Sequence, residues 1–400
     1  MNNKLLIIVS LLIFIKTYSQ QTISANQGFV ENKEYFSKMK YENKNGKIII
    51  KVSINQNEYD FLLDTGATTA ISENLYDLIK TNKLGSVKIK DQSGITDSLE
   101  VVSIPEIIIN EIKFKEIPAF VSKKGLNPIF ECFKIDGIIG SNLLRNSTIQ
   151  FDSQKNEIIL TDNSKNLRLK KRDAIEMKVN KIQSSPFIPI KLIKEKHEGN
   201  GYVLFDSGDN NFYIISNTAY HQLRSQVDIF ETIAKNVGTF SVGLFGTANE
   251  NEHLALKVTK LKIGDIDFKN VITKTTYGET SRIGSELLKY GKVTLDYKKE
   301  RFWLESFDKK KSIELAEKMW PIEPILNNDN EIVVGIIWDN SLKGKINLGD
   351  KILKFDTINY ENMDYCEILN LILKVNKPKA KLTFQDKNTK EIKELELSKI

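Results

Sequence analysis

Two stretches of the sequence decide the fold: residues 59–66 read YDFLLDTG, and residues 202–208 read YVLFDSG. In each stretch an apolar, strand-like run leads directly into Asp, a small hydroxyl residue and Gly. Another strand-like run and a polar turn precede each one, at residues 48–54 and 187–192. The order of strand, turn, strand and Asp-Thr/Ser-Gly therefore occurs twice in one chain.

A second motif repeats at almost the same spacing. Residues 138–144 read IIGSNLL, and residues 282–288 read RIGSELL. Asp64 and Asp206 are 142 residues apart (206 − 64), and the glycines of the second motif are 144 apart (284 − 140). Because both motifs keep their order and spacing, we interpret the first three quarters of the chain as a duplication.

Short Ile- and Val-rich runs with Gly- and Asn-containing turns predict that each copy is mostly β. One short helix is predicted in each copy, at Ser72–Lys80 and at Asn217–Arg224, each beginning beside a serine that can cap it.

The duplicated Asp loops predict a specific chemistry. Two such loops that meet about a pseudo-two-fold axis would bring Asp64 and Asp206 side by side. Paired carboxylates a few ångströms apart share one proton, so one is a base and the other an acid. Together they can activate a water and polarise a peptide carbonyl, without a metal or cofactor. The alternative is two isolated Asp turns.

The run DTGATT at residues 64–69, with IIGSNLL at 138–144, resembles the retropepsin and pepsin-like aspartic peptidases. The resemblance implies two retropepsin-like β-barrel lobes, at residues 45–160 and 186–306, joined by a connection at 161–185. It implies that Asp64 and Asp206 are catalytic. The residues that would support this dyad are Thr65, Gly66, Thr68, Ser207, Gly208 and Asn210.

The second loop departs from the family pattern. The Thr68 hydroxyl is expected to bond the outer oxygen of the first catalytic carboxylate, and Asn210 would take that role in the second loop. Asp209 adds a third carboxylate. If it is ionised and points inward, it would raise the proton affinity of the pair and move the activity optimum toward neutral pH. The same departure leaves open a catalytically inactive second lobe.

The family also has a hairpin flap over its cleft. By position, Gln92, Ser93 and Gly94 would lie at the tip of one flap, within residues 86–102. Gly243 and Gly246 would belong to a second flap, within residues 238–248. Both segments could equally be ordinary exposed hairpins.

The C-terminal part is different. Residues 341–353 read SLKGKINLGDKIL, which resembles the PDZ domains of bacterial exported proteases. The resemblance implies a PDZ-like α+β domain at residues 320–400 that binds a peptide, or the carboxyl terminus of a partner, by adding a strand beside a helix at Tyr365–Val375. The carboxylate-binding loop would lie near Met319–Pro324, which matches the usual Gly-rich loop poorly. A structural or intramolecular role is the alternative.

Residues 1–19 are predicted to be a signal peptide. Lys4 precedes an apolar run at Leu5–Ile15, and small residues at 17 and 19 precede a cleavage site before Gln20. The run has about 11 residues, fewer than the roughly 20 that span a bilayer, although an uncleaved anchor is the alternative. We therefore expect an exported protein, periplasmic in a Gram-negative bacterium or secreted, with no membrane span once the signal is removed.

Composition excludes other classes. With 58 Lys+Arg against 52 Asp+Glu, the net charge of +6 is weak for 400 residues, which disfavours nucleic-acid binding. Three histidines disfavour a His-rich metal site. Cys132 and Cys366 are predicted to be separate buried thiols, because they lie far apart in sequence.

The leading interpretation is an aspartic endopeptidase that acts on polypeptides and carries a PDZ domain. The alternatives are a catalytically inactive, exported peptide-binding protein with the same fold and a structural envelope protein. Because Asp64 and Asp206 are both intact, the sequence favours the enzyme.

Overall fold

The computed structural model describes residues 23–91, 94–123, 128–243, 246–315, 318–327, 329–371 and 375–400. The predicted signal peptide and the predicted flap residues Gln92 and Ser93 lie outside these ranges. The described chain is mostly β, as the sequence predicts. Within it, every helix is too short or too polar to cross a membrane.

The described residues of the first copy form twelve strands and three short helices. The strands are β1 (Phe29–Val30), β2 (Phe36–Lys40), β3 (Glu42–Lys44), β4 (Lys47–Ile54), β5 (Asn57–Asp64), β6 (Ala70–Ser72), β7 (Asn82–Lys90), β8 (Thr96–Ile109), β9 (Ile112–Ser122), β10 (Gly137–Gly140), β11 (Thr148–Asp152) and β12 (Glu157–Thr161). The helices are α1 (Glu73–Ile79), α2 (Pro128–Cys132) and α3 (Ser141–Leu144).

In the connection and the second copy, the part of the chain that the structure describes forms fourteen strands and one α-helix. The strands are β13 (Ile175–Glu176), β14 (Lys178–Val179), β15 (Pro186–Lys194), β16 (His197–Asp206), β17 (Tyr213–Ser216), β18 (Phe230–Gly238), β19 (Val242–Gly243), β20 (Gly246–Thr247), β21 (Asn251–Ile263), β22 (Ile266–Thr276), β23 (Arg282–Gly284), β24 (Gly291–Asp296), β25 (Arg301–Ser306) and β26 (Ser312–Glu314). The helix is α4 (Asn217–Arg224).

Six strands and one α-helix are described in the C-terminal part. They are β27 (Ile322–Leu326), β28 (Ile332–Ile337), β29 (Lys351–Phe355), β30 (Ile358–Asn359), α5 (Tyr365–Leu371), β31 (Lys379–Gln385) and β32 (Ile392–Ser398). Four single turns of 3-10 helix complete the described elements, at Ser164–Leu167, Lys171–Asp173, Ser285–Lys289 and Asn340–Leu342.

The two copies have the same strand arrangement. In the first, β4, β5, β10, β6, β9 and β8 pair in that order, and β8 also pairs with β4, which closes the ring. In the second, β15, β16, β23, β17, β22 and β21 pair in the same order, and β21 pairs with β15. Each ring is therefore a closed barrel whose interior is filled by apolar side chains.

A six-stranded sheet joins the two copies, in the order β13-β25-β24-β11-β12-β2. Its central pair is β11 from the first copy and β24 from the second, which run antiparallel. Phe205 packs edge to face against both Phe151 and Phe302, with ring centroids 6.2 and 6.1 Å apart. One continuous hydrophobic core therefore runs through both copies.

The C-terminal strands form a separate sheet in the order β27-β28-β29-β31-β32, with its own core beneath α5. The hairpin predicted from residues 380–397 is present as β31 and β32. This sheet docks on the second copy through β28. The backbone amide of Thr239 donates to the Gly335 carbonyl at 3.0 Å, and the Asn236 side chain donates to the Ile337 carbonyl.

A disulfide links Cys132 in α2 to Cys366 in α5, with Cα atoms 4.7 Å apart. The prediction of two separate thiols is therefore wrong. The C-terminal domain lies across both copies, and this brings α2 beside α5 although the two cysteines are 234 residues apart in sequence. The bond closes a loop that includes all of the second copy.

Candidate active site

The Asp loops lie at equivalent places in the two barrels. Strand β5 ends at Asp64, which pairs in parallel with Gly140 of β10. Strand β16 ends at Asp206, which pairs in parallel with Gly284 of β23. A Cβ on either glycine would lie within about 2.5 Å of backbone atoms in the adjacent Asp loop, so the second motif packs directly against the loop in both copies.

The two loops bind one another through their hydroxyl groups. Thr65 Oγ1 donates to the Phe205 carbonyl at 2.6 Å and accepts from the Ser207 amide at 3.0 Å. Ser207 Oγ donates to the Leu63 carbonyl at 2.9 Å and accepts from the Thr65 amide at 3.0 Å. Both side chains are fully buried. These four bonds hold the loops in fixed register.

This register brings the two carboxylates together. A Cβ on Gly208 would lie 2.3 Å from Asp64 Oδ2, and one on Gly66 would lie 2.6 Å from Asp206 Cγ, so each glycine faces the carboxylate of the other copy. The Gly66 amide donates to Asp64 Oδ1 at 2.8 Å, and the Gly208 amide donates to Asp206 Oδ1 at 3.0 Å. Any side chain at either glycine would separate the pair.

The environments of the two carboxylates differ. Burial raises the pKa of Asp64, but the Gly66 amide and a hydrogen bond from Asp206 oppose that rise. The pKa of Asp206 lies well above its usual value because of burial, the Asp64 charge and the Asp209 charge. The pKa of Asp206 is therefore raised further than that of Asp64, so these surroundings favour the shared proton on Asp206.

The hydroxyl support expected from Thr68 is not formed. Its hydroxyl donates to Gln183 Oε1 at 2.7 Å, and the Gln183 amide in turn donates to the Gly66 carbonyl at 3.0 Å. Asn210 does not replace it in the second loop, because its amide donates to the Asn45 carbonyl at 2.9 Å. Each residue therefore bonds a segment that leads into the other barrel: Thr68 bonds Gln183, which precedes β15, and Asn210 bonds Asn45, which precedes β4.

Two positively charged side chains lie beside the dyad. The sequence analysis did not identify either of them. Lys47, at the start of β4, donates to the Gly208 carbonyl, and its charge lowers the pKa of Asp64. Arg282 Nε pairs with Asp209 Oδ2 and lies 4.0 Å from Asp206 Oδ2. The available signal was the arginine at the start of the second motif, where the first motif has Ile138.

Those predicted flap residues that the structure describes, Gly94, Gly243 and Gly246, lie in hairpins. Gly94 belongs to the turn between β7 and β8, where its amide donates to the Asp91 carbonyl at 3.1 Å. At the base of this turn, Lys90 forms an ion pair with Glu279 of the second copy at 3.3 Å. Gly243 and Gly246 pair across the short hairpin of β19 and β20. Their role over a cleft stays a prediction.

Residues 50–146 match the sequence profile of the family described as "gag-polyprotein putative aspartyl protease". The match includes the first Asp-Thr-Gly loop and the first Ile-Ile-Gly motif, which makes this segment similar to retropepsin-like aspartic proteases.

Among solved structures, the chain is similar to a retropepsin-like aspartic protease from Rickettsia conorii. The identity is 17%, the alignment covers 32% of this chain and 94% of that one, and the TM-score is 0.24. No curated protein matches the chain.

Proposed function

We propose that the protein is an aspartic endopeptidase that hydrolyses peptide bonds with a water held between Asp64 and Asp206. One observation carries the proposal: two Asp-Thr/Ser-Gly loops cross-bond through Thr65 and Ser207 and place their carboxylates in contact. The family match over residues 50–146 supports the same activity for the first loop.

The unequal environments of the aspartates assign their roles. Asp64, the ionised member, takes a proton from the water. Asp206, the protonated member, donates a hydrogen bond to the scissile carbonyl oxygen. Attack of the water, with transfer of the Asp206 proton to the carbonyl oxygen, gives a tetrahedral diol. In its collapse Asp64 gives its proton to the nitrogen and a diol hydroxyl returns one to Asp206, which releases the amine and leaves a new carboxyl group. Burial of the pair keeps this proton in place above the pH at which free carboxyls lose theirs.

Digestion of unfolded casein between about pH 3 and 8 tests this proposal. We expect Asp64→Asn and Asp206→Asn each to lower cleavage at least about a thousandfold, because each removes half of the acid–base pair. Asp265→Asn is the matched control, since this carboxylate is exposed and paired with Lys311 on the surface. Equal cleavage by all variants would contradict the proposal. Absence of cleavage at every pH would favour the inactive peptide-binding protein.

We further propose that the C-terminal domain is PDZ-like and binds polypeptide termini. Among the described strands, β27 ends the sheet order, so its outer edge is not paired with another strand. Fluorescence polarisation would compare a peptide library with free carboxyl termini against the same peptides amidated. We expect amidation to weaken binding at least about tenfold. Equal binding of both sets, or of neither, would contradict this role.

We propose that the protein is exported. Residues 1–19 resemble a signal peptide, and the disulfide supports export because disulfides persist mainly in oxidising compartments. Mass spectrometry of the mature protein should place its first residue at Gln20. A mature protein that retains Met1 in the cytoplasm would contradict export.

A further inference from the structure

The second barrel holds a buried arginine where the first holds an isoleucine. Ile138 pairs with Leu62 in the first barrel, and Arg282 pairs with Leu204 at the equivalent place in the second. Ile138 is 8% exposed and Arg282 is 9% exposed, so the two sites are equally enclosed. A buried guanidinium is costly unless its charge is compensated, so this substitution requires a partner.

That partner is Asp209, the residue that departs from the family pattern in the second Asp loop. Arg282 Nε donates to Asp209 Oδ2. The other oxygen, Oδ1, accepts from the amide and side chain of Asn211. Both oxygens of Asp209 are therefore bonded, and Arg282 holds its pKa below the usual range, so that Asp209 stays ionised.

The pair lies directly against one carboxylate of the dyad. Asp206 Oδ1 accepts from the amides of Gly208 and Asp209, at 3.0 and 3.2 Å. Its outer oxygen, Oδ2, lies 4.0 Å from Arg282 Nε. The second loop has no threonine at the position of Thr68, and Asn210 bonds elsewhere. Arg282 is thus the cation beside the outer oxygen of Asp206.

Other ionisable groups near the dyad come from the first barrel and the joining sheet. Asp64 faces Asp206 directly, and Lys47 reaches the Gly208 carbonyl. The Tyr297 hydroxyl bonds Ser141 Oγ at 2.9 Å, and burial raises its pKa, so it stays neutral. The Asp64 and Asp209 charges raise the pKa of Asp206, and the Arg282 charge lowers it.

We propose that Asp209 and Arg282 are a matched pair of positioning residues that set the pH range over which the dyad holds a single proton. The two charges act on Asp206 in opposite directions, and their ion pair fixes the second Asp loop to β23. This inference rests on the proposed peptidase function, but it also makes a claim about the titration of Asp206 that needs no substrate.

The test is the pH profile of kcat/KM for Arg282→Met, Asp209→Asn and the double variant. Removal of the arginine leaves an uncompensated negative charge. Both the acidic and the basic limb of the bell-shaped profile should therefore move to higher pH, by about one pH unit or more. Removal of the aspartate leaves the positive charge, so both limbs should move down by a similar amount. The double variant should return close to the wild-type profile.

Arg224→Met and Asp228→Asn are matched controls, because Arg224 and Asp228 form the same type of ion pair on the surface of the second copy. They should leave the profile unchanged. Arg282→Lys keeps the charge and should keep the pH range. Thermal melting establishes that each variant is folded. If Arg282→Met does not fold, the comparison of the two single variants Asp209→Asn and Arg282→Lys still tests the proposal.

A purely structural pair would give losses of activity in both single variants with no movement of either limb, and that result would overturn the proposal. Titration of ¹³C-labelled aspartate by NMR, with signals assigned through Asp64→Asn and Asp206→Asn, provides a second readout. If casein is never cleaved but the Asp206 titration moves in opposite directions in the two variants, the peptidase proposal fails and the electrostatic inference stands. An Asp206 titration that is the same in all variants overturns the inference.

Discussion

Asp206 is held in surroundings that oppose its ionisation. Its pKa lies well above the usual value because of burial and two neighbouring carboxylates, although the Arg282 charge opposes that rise. An unfolded chain imposes no such penalty. The folded state therefore binds the proton more tightly, and its stability falls as the pH rises above the ordinary pKa of aspartate. Ionisation of the buried Asp206 therefore lowers the free energy of unfolding.

Asp206→Asn should therefore stabilise the protein at pH 7. Asn keeps a donor for the bond to Asp64 and removes the titration, so we expect a gain on the order of 1 kcal/mol in the free energy of unfolding. The gain should vanish near pH 3, where Asp206 is protonated in both states. Urea unfolding at pH 3, 5 and 7 measures this dependence.

Asp228→Asn is the control, because the pKa of Asp228 is shifted in the opposite direction. Lys194 and Arg224 lower the pKa of this exposed carboxylate, so it contributes stability above its unfolded pKa, and the variant should gain nothing at pH 7. A wild-type protein that is more stable than Asp206→Asn at pH 7 would contradict the argument.

For single residues, the sequence predicts which side chains form the site more readily than it predicts their hydrogen-bond partners. The duplicated motif points to Asp64 and Asp206, and the structure brings both together. The partner of Thr68 is Gln183, from the connection between the barrels. No local pattern links the two residues, because their contact depends on how the connection crosses the first barrel.

Single elements follow local sequence closely. Helix α1 begins after Ser72, whose side chain accepts from the Leu75 amide, and α4 occupies the predicted range after a similar cap at Ser216. What the sequence does not reveal is how β28 meets the second copy. Each of its residues is buried, and the apolar run is equally compatible with an internal strand.

The backbone of β28 approaches the second copy closely at Gly335. A Cβ there would lie 2.2 Å from the Thr239 carbonyl oxygen. Gly335→Ala should force β28 away from the second copy and lower the free energy of unfolding by about 1–3 kcal/mol. Hydrogen exchange measured by mass spectrometry should increase in β18 and β28 together.

Gly201→Ala is the matched control, because a Cβ at Gly201 meets no atom within 4 Å. It should leave stability and exchange in β28 unchanged. Equal effects of the two alanine substitutions would show that the close approach at Gly335 has no energetic consequence.

On the scale of the whole molecule, the disulfide ties the C-terminal domain to the first copy while β28 ties it to the second. Cys132→Ser should lower the free energy of unfolding by about 2–5 kcal/mol, since the bond restricts a very long loop in the unfolded chain. Thermal melting with and without dithiothreitol measures the loss.

Cys366→Ser and the double variant should match Cys132→Ser, and dithiothreitol should lower the melting temperature of the wild type alone. A wild-type melting temperature that does not respond to reduction would contradict this role. The pairing could not be predicted from sequence, because it depends on how the C-terminal domain docks on the two joined copies.

Arg282 has a further consequence through symmetry. A dimer of identical chains carries every substitution on both sides of its axis, so an arginine beside one aspartate would be matched by an arginine beside the other. In this chain Ile138 occupies the equivalent place, and the two halves of the site are chemically distinct. A symmetric site accepts a polypeptide equally well in either chain direction, whereas a site with a fixed acid and a fixed base distinguishes the two.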